Sequence, residues 1–222
     1  GYLEAVPLTS FVSMALIKSH RADHPVVQNG IRFLIESFRP EGELEGSWPI
    51  DTNLATWNTT LSINALANRS DEFRSELAAD KPRWNHCVDW LLQCQNTTVH
   101  PFTGAAPGGW GWSDLSGAVP DADDTPGALL ALKNLVTIGE FDDSVTERIY
   151  RAAESGIDWF VKFQNRDIGW PTFCRGWGKL PFDRSGTDIT AHVVRSLIAW
   201  KNDVKTFKLD SGRIERAIDS GF

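Results

Sequence analysis

Apolar residues recur at three- and four-residue intervals through most of the chain, and no useful length of alternating apolar and polar positions interrupts them. Val27, Ile31, Leu34 and Ile35 mark one such stripe, and Ile157, Phe160 and Val161 mark another. The periodicity predicts helices over 26–37, 84–95 and 151–164. Each is followed by a loop in which Gly and Trp stand together: Gly46-Ser-Trp48, Gly109-Trp-Gly-Trp112 and Gly169-Trp170. A second helix is predicted after each loop, over 56–68, 124–135 and 188–200, and a further helical segment over 6–19 comes first.

The helix pairs keep a fixed register. Thr60, Thr125 and Thr190 are spaced 65 residues apart, which puts Asn58, Asp123 and Asp188 in equivalent positions. Repeat units near 20–70, 83–137 and 148–202 therefore describe the chain, and fixed-period helix pairs imply a stacked or circular all-α architecture. Residue 1 is Gly rather than Met, and the chain ends on what reads as the start of a helix at Ala217. The expectation is one partial domain, 1–222, cut from a longer protein. Such a piece would expose apolar helix faces and self-associate, and it would have no activity alone.

Composition narrows the function classes. Hydrophobic residues make up 41% and charged residues 23%, ordinary for a folded chain, but ten tryptophans are an excess that packing or a ligand must explain. The net charge of −7, with no basic cluster, argues against a nucleic-acid partner. Cys87, Cys94 and Cys174 are odd in number and form no metal-like pairs, which points to reduced thiols and a cytoplasmic setting. No metal or cofactor is expected. No apolar run approaches a membrane span, and the N-terminal stretch has no signal-peptide pattern.

The densest chemistry lies between Gly108 and Pro126, where a Trp/Gly loop runs into Asp121, Asp123 and Asp124. On local sequence this is a helix start, with Thr125 or Asp124 as N-cap, Pro126 as first helical residue and acidic side chains at the positive helix end. The chemical reading is that carboxylates this close cannot all ionise in a dry site, so one keeps its proton. A protonated acid beside aromatic rings is what a proton-initiated carbocation reaction requires. Asp188 and His192, four apart on one predicted helix, share a face at the equivalent position of the next unit.

The segment resembles the Asp-x-Asp-Asp-Thr motif of the squalene-hopene cyclase family, preceded by that family's Gly/Trp loop. Gln95 before Gly109-Trp110, and Gln164 before Gly169-Trp170, resemble its Gln/Trp repeat, in which Gln caps a helix and stacks on Trp. The first unit departs, with Ser37 and Phe38 where Gln would stand. The stretch 48–57 and the Thr187–His192 stretch are similar to segments flanking the acid motif in that family. The resemblance implies part of an α6/α6 toroid and cyclisation of squalene or a related linear isoprenoid to a polycyclic triterpene. It also implies a hydrophobic isoprenoid partner and leaves room for attachment to the inner face of a membrane. Carried over by motif, Asp123 is the acid that protonates a terminal alkene, Asp121 and Asp124 flank it, and His192 is its polar partner. Trp112 and Phe173 stand where the family places cation-facing aromatic residues. The stretch 171–184, with Arg175, Lys179 and Arg184, departs most from the pattern and leaves the product open.

Other readings compete. Regularly spaced tryptophans usually serve packing rather than substrate. An α/α-barrel glycoside hydrolase would also be acidic and Trp-rich, with Asp123 and Asp188 as its carboxyl pair. A zinc prenyltransferase would need a ligand set that Cys87, Cys94, His86 and His100 do not form. A non-catalytic relative that keeps only the fold is the structural alternative.

Overall fold

In the computed structural model the predicted helices form, and their ends follow local chemistry. The structure describes residues 6–42, 45–49, 53–101, 103–115, 117–173 and 181–221, without the side chains of Pro181 and Lys205. Cys174, Arg175 and Lys179 of the divergent stretch lie outside the described residues, as do positions 50–52 of the 48–57 segment. Helix α1 covers Val6–Lys18 and α2 covers Pro25–Glu36. Pro25 opens α2 where a missing N–H costs nothing, and the His24 ring accepts the Val26 N–H at 3.2 Å. Helices α3, Ala55–Leu66, and α5, Lys81–Gln93, bracket α4, Ser70–Ala79. Beyond these lie α6, Asp124–Ile138; α7, Asp143–Phe163; α8, Thr187–Trp200; and α9, Ser211–Ser220. The described strands, β1 at Trp170–Pro171 and β2 at Ser185–Gly186, form one short antiparallel pair.

Four details differ from the sequence expectation. Helix α4 is additional; its buried Phe73 and Leu77, one turn apart, were too few to register among charged neighbours. Helix α7 begins at Asp143, eight residues before 151, behind the N-cap Asp142. Helix α9 begins at Ser211 rather than near Ala217, where Asp210 accepts the Arg213 N–H at 3.2 Å. Helix α6 begins at Asp124 as the periodicity predicts, but its N-cap is Asp123 rather than Asp124 or Thr125, so Pro126 is its third residue rather than its first, still inside the first turn where its lost N–H is harmless.

The chain divides into two compact units. The first is 1–54 with 115–118. Within it α1 and α2 pack at close range through Gly30, where a Cβ would stand 2.6 Å from the Ser13 hydroxyl. Phe38 and Trp48 pack ring to ring at 4.7 Å, and the Trp48 indole donates to the Leu34 carbonyl at 2.7 Å. This unit leaves large apolar side chains in the open, Phe11 at 67% and Ile35 at 70% exposure. Among the described residues no helix is long and apolar enough to cross a membrane.

The second unit is 55–114 with 119–222, and its helices form two rows. The second helices of the repeat lie side by side, α6 packing on both α3 and α8; α7 packs on both α5 and α9. The rows are tied together where α6 meets α7 and α8 meets α9. The core between them holds Leu129, Leu132, Leu135, Ile157 and Phe160, together with the fully buried rings of Trp110, Trp170 and Trp200. Polar cross-links set the register. Asn64 donates to the Gly127 carbonyl at 3.1 Å and accepts from Asn134 at 2.9 Å, while the Trp200 indole donates to the Leu129 carbonyl at 2.9 Å.

Candidate active site

The Trp/Gly loop before the acid motif is held from several directions. Gly108 donates to the Asn96 carbonyl at 2.7 Å, and Asn96 donates back to the Gly109 carbonyl at 2.9 Å. The Gln95 amide donates to the Gly108 and Ala152 carbonyls at 2.7 and 2.9 Å, joining the loop to α7. The Trp110 indole donates to the Leu91 carbonyl at 2.8 Å, one of the α5 carbonyls left without a partner in the last turn. Gly111 is obligatory by contact, since a Cβ there would lie 2.5 Å from the Val119 carbonyl oxygen. The loop built on Gln164 repeats much of this scheme: Asn165 donates to the Gly169 carbonyl at 2.9 Å and the Trp170 indole to the Phe160 carbonyl at 3.0 Å.

The repeating threonines explain the 65-residue register. The Thr125 hydroxyl accepts from the Trp110 N–H at 2.9 Å and donates to the Trp110 carbonyl at 3.1 Å. Thr190 accepts from the Trp170 N–H at 3.1 Å in the same manner. Thr60 differs: its hydroxyl donates to the Trp57 carbonyl at 3.0 Å within α3. In the two later repeats the threonine thus latches a loop onto the first turn of the helix that carries the carboxylate.

The three aspartates occupy different environments. Asp121 is 1% exposed, and one of its oxygens accepts the N–H groups of Asp123 and Asp124 at 2.9 and 2.7 Å. It therefore closes the first turn of α6, and the spacing of a carboxylate three residues before the first turn was the sequence signal for that role. Its other oxygen and one oxygen of Asp124 are buried without a hydrogen-bond partner, and two carboxyls this close in a dry site favour one proton held between them. Burial, then the Asp124 charge, holds the Asp121 carboxyl well above the usual range. Burial pushes Asp124 up to about 7.

Asp123 is half-buried, and its carboxyl is raised first by burial and then by the charge of Asp188. Asp188 is exposed in the first turn of α8, the helix packed beside α6. His192 is half-buried on α8; burial and the nearby Arg195 lower its pKa, so the ring is neutral at neutral pH. Among the described residues no hydrogen bond joins His192 to Asp123. The structure thus brings Asp123 and Asp188 into electrostatic contact and leaves His192 uncharged rather than cationic.

An aromatic surface adjoins the acids. The Ala122 N–H donates to the Thr172 carbonyl at 2.9 Å, seating the loop after β1 against the acid motif. One residue on, the Phe173 ring meets Trp112 edge-on at 6.5 Å, and Phe182 meets Phe173 at 5.2 Å. Trp112 is half-buried, and its carbonyl accepts the Trp57 N–H from α3 at 3.2 Å. The two aromatic residues singled out from the sequence are therefore neighbours. Phe182 was not foreseen, because it sits in a stretch without helical periodicity.

A pH prediction follows from the shared proton. With folded-state values above the unfolded ones, the folded chain binds more protons between the usual carboxylate range and about 7, so stability falls as pH rises through that window. The slope contributed is at most about 1.4 kcal/mol per pH unit for each proton. Asp124→Asn is expected to flatten it, read from urea midpoints between about pH 5 and about pH 8. A wild-type midpoint that rises over that range would remove the shared proton.

Residues 54–210, more than half of the chain, match the family model of the squalene-hopene cyclase C-terminal domain. The chain is 29% identical over 208 residues to a terpene cyclase–glycosyl transferase fusion protein of Humicola fuscoatra, covering 85% of this chain and 15% of that protein. It is 30% identical over 90 residues to the sporulenol synthase of Bacillus subtilis, covering 39% of this chain and 12% of that enzyme. Against the squalene–hopene cyclase of Bradyrhizobium diazoefficiens it is 26% identical over 153 residues, covering 65% and 19%. The chain thus spans less than a fifth of the length of each of these relatives.

Proposed function

The chain belongs to the squalene-hopene cyclase family of class II terpene cyclases, and from that premise we propose that it carries the acid site for proton-initiated cyclisation of squalene or a related linear isoprenoid. The observation that carries the proposal is the raised carboxyl of Asp123 at the head of α6, with Trp112 and Phe173 on the adjoining loops. The proton of Asp123 passes to a terminal carbon of the polyene, whose π pair becomes the new C–H bond. The cation left on the neighbouring carbon takes the π pair of the next alkene, forming a C–C bond and moving the charge along the chain. The sequence ends when the last cation loses a proton or takes up water, and Asp123 regains a proton from solvent.

Each candidate has a physical part. Burial and Asp188 favour the protonated form of Asp123, and a proton held by Asp121 and Asp124 would limit the charge packed beside it. His192 is proposed as the polar partner of the acid; its neutral ring has an acceptor nitrogen, although among the described residues no hydrogen bond joins the two side chains. Aromatic faces stabilise a cation electrostatically without supplying a nucleophile that would end the reaction. Closure of the helix rows into an α/α toroid belongs to the same proposal: it would supply the water-free cavity the cation needs, and the two-row packing supports it.

Incubating the complete protein with squalene and shorter linear isoprenoids, with products identified by mass spectrometry, tests the reading. Cyclic isomers of the substrate or their hydrates are expected; recovery of unchanged polyenes alone would remove it. Trp112→Ala is expected to lower turnover by about fivefold to thirtyfold, the loss of about 1–2 kcal/mol of cation stabilisation, with early-stopped products appearing. An unchanged rate and product profile would take Trp112 out of the site.

A further inference from the structure

We propose that Thr190 is a positioning residue for this reaction, its hydroxyl keeping the head of α8, with Asp188, in register with Asp123. The inference rests on the cyclase reading above. The links are hydrogen bonds of ordinary length. The Trp170 N–H donates to the Thr190 hydroxyl at 3.1 Å. Two residues on, the Thr172 carbonyl accepts the Ala122 N–H at 2.9 Å, and Ala122 immediately precedes Asp123. On α8, Asp188 stands two residues before Thr190, in the same turn. Two hydrogen bonds and a few backbone units thus join the segment that carries Asp188 to the segment that carries Asp123.

The path runs through a fixed point. The Trp170 ring is fully buried, and its indole donates to the Phe160 carbonyl of α7 at 3.0 Å. Pairing of Trp170 with Gly186 and of Pro171 with Ser185 holds the chain just ahead of α8. That pairing constrains the strand. A further bond, from the same backbone to a side chain in the first turn of α8, constrains the rotation of the helix about its axis. Close approach is built in: a Cβ at Gly169 would stand 2.9 Å from the Thr190 hydroxyl and 2.6 Å from the Ser185 Cβ. Glycine at that position is what lets the Trp170 backbone reach the hydroxyl.

Packing alone does not account for the bond. A threonine that served only to stack helix pairs would be used alike in every repeat. Thr125 and Thr190 each accept from the N–H of the loop tryptophan, at 2.9 and 3.1 Å, and each follows a carboxylate by two residues, Asp123 and Asp188. Thr60 follows Asn58 instead, and its hydroxyl donates to the Trp57 carbonyl within its own helix. The latch accompanies the carboxylate. Burial and then the charge of Asp188 raise the Asp123 carboxyl, so the two acids act on each other across the α6–α8 contact. An interaction between charges depends on their separation, and a helix held in register keeps that separation constant.

The test uses the complete protein with squalene, with turnover divided by the folded fraction read from circular dichroism. Thr190→Val keeps the shape and removes the acceptor, whereas Thr190→Ser keeps the hydroxyl. In the Val variant kcat should fall about fivefold to tenfold with KM within about twofold of wild type. The Ser variant should stay within about twofold in both. Asp188→Asn supplies the other arm of a double-mutant cycle. Because Thr190 acts through Asp188, Thr190→Val in the Asp188→Asn background should lower kcat by less than about twofold. A wild-type kcat in the Val variant, equal losses in the Val and Ser variants, or losses that multiply fully in the double variant would overturn the role of Thr190. If the Val variant does not fold, Thr190→Ala, which leaves room for water to accept the Trp170 N–H, is held to the same outcomes. Failure of the underlying reading has a different signature: undiminished turnover in Asp123→Asn, or no cyclic product from the wild type.

Discussion

Replacing Asp123 with Asn is expected to lower cyclisation by at least about 10²–10⁴-fold, the range lost when a positioned general acid is removed. An amide preserves the shape of the side chain, and the cap of α6 is made by Asp121 rather than by the Asp123 side chain, so the fold should be retained. On the proposed mechanism the variant loses the proton that starts the reaction, and an alkene is too weak a base for water to take over that task. The measurement is the rate of polyene consumption in the complete protein, with circular dichroism confirming equal helix content. Asp121→Asn provides a contrast. Its oxygen can still accept the Asp123 and Asp124 N–H groups, so its effect should come through the shared proton and be smaller. Turnover that survives in Asp123→Asn would transfer the acid role elsewhere.

Replacing Trp110 with Ala is expected to cost about 3–5 kcal/mol of folding free energy, a large part of the about 5–15 kcal/mol that holds a typical domain together. The ring is fully buried, touches the position where a Cβ on Gly156 would stand at 3.0 Å, and caps the Leu91 carbonyl. Trp48→Ala is the internal control. It breaks an equivalent indole-to-carbonyl bond, to Leu34, but its ring is 50% exposed. Its cost should be about 0.5–1.5 kcal/mol, the value of the bond with little cavity left behind. Urea unfolding of the variants measures both. Equal losses would mean that the hydrogen bond, rather than ring burial, sets the stability of the motif.

These tryptophans also show how much of the fold was legible in the chain. The helical periodicity located the amphipathic helices because each buries one stripe, as α7 does with Ile157, Phe160 and Val161. It failed where burial is slight, as in α4 with Phe73 and Leu77, and where a helix extends outward on polar residues, as in the first turns of α7. The start of α6 at Asp124 was read correctly, but its cap was misassigned because Asp124 and Thr125 both suit an N-cap and Pro126 a first helical residue. The decision fell to Asp121, whose carboxylate satisfies two N–H groups ahead of them. Thr125, free of the cap, latches the Trp110 backbone instead.

The site was legible in part for the same reason. Asp121, Asp123 and Asp124 are adjacent in sequence, so their proximity needed no tertiary information. The meeting of Asp123 with Asp188 followed from the repeat, since equivalent positions on α6 and α8 become neighbours when those helices pack side by side. The contact of Trp112 with Phe173 depends on a loop crossing, the Ala122–Thr172 bond, that no periodicity encodes. Nor did the sequence reveal the neutrality of His192, which comes from burial and from Arg195 one turn further along.

The indole clasps have a consequence for how such chains diversify. Donor and acceptor lie 14 residues apart for Trp48 and Leu34, 19 for Trp110 and Leu91, and 10 for Trp170 and Phe160. The clasp returns the chain to the end of the helix it has just left, whatever the excursion between. Lengthening a closed loop costs little, about 0.6 kcal/mol per doubling, once its ends are fixed. The helices can therefore stay in register while the clasped segments are rewritten, and none of the candidate aspartates or aromatic residues of the site lies inside a clasp. A chain organised this way can exchange the length and surface of its connecting loops without moving the helix starts that carry the aspartates.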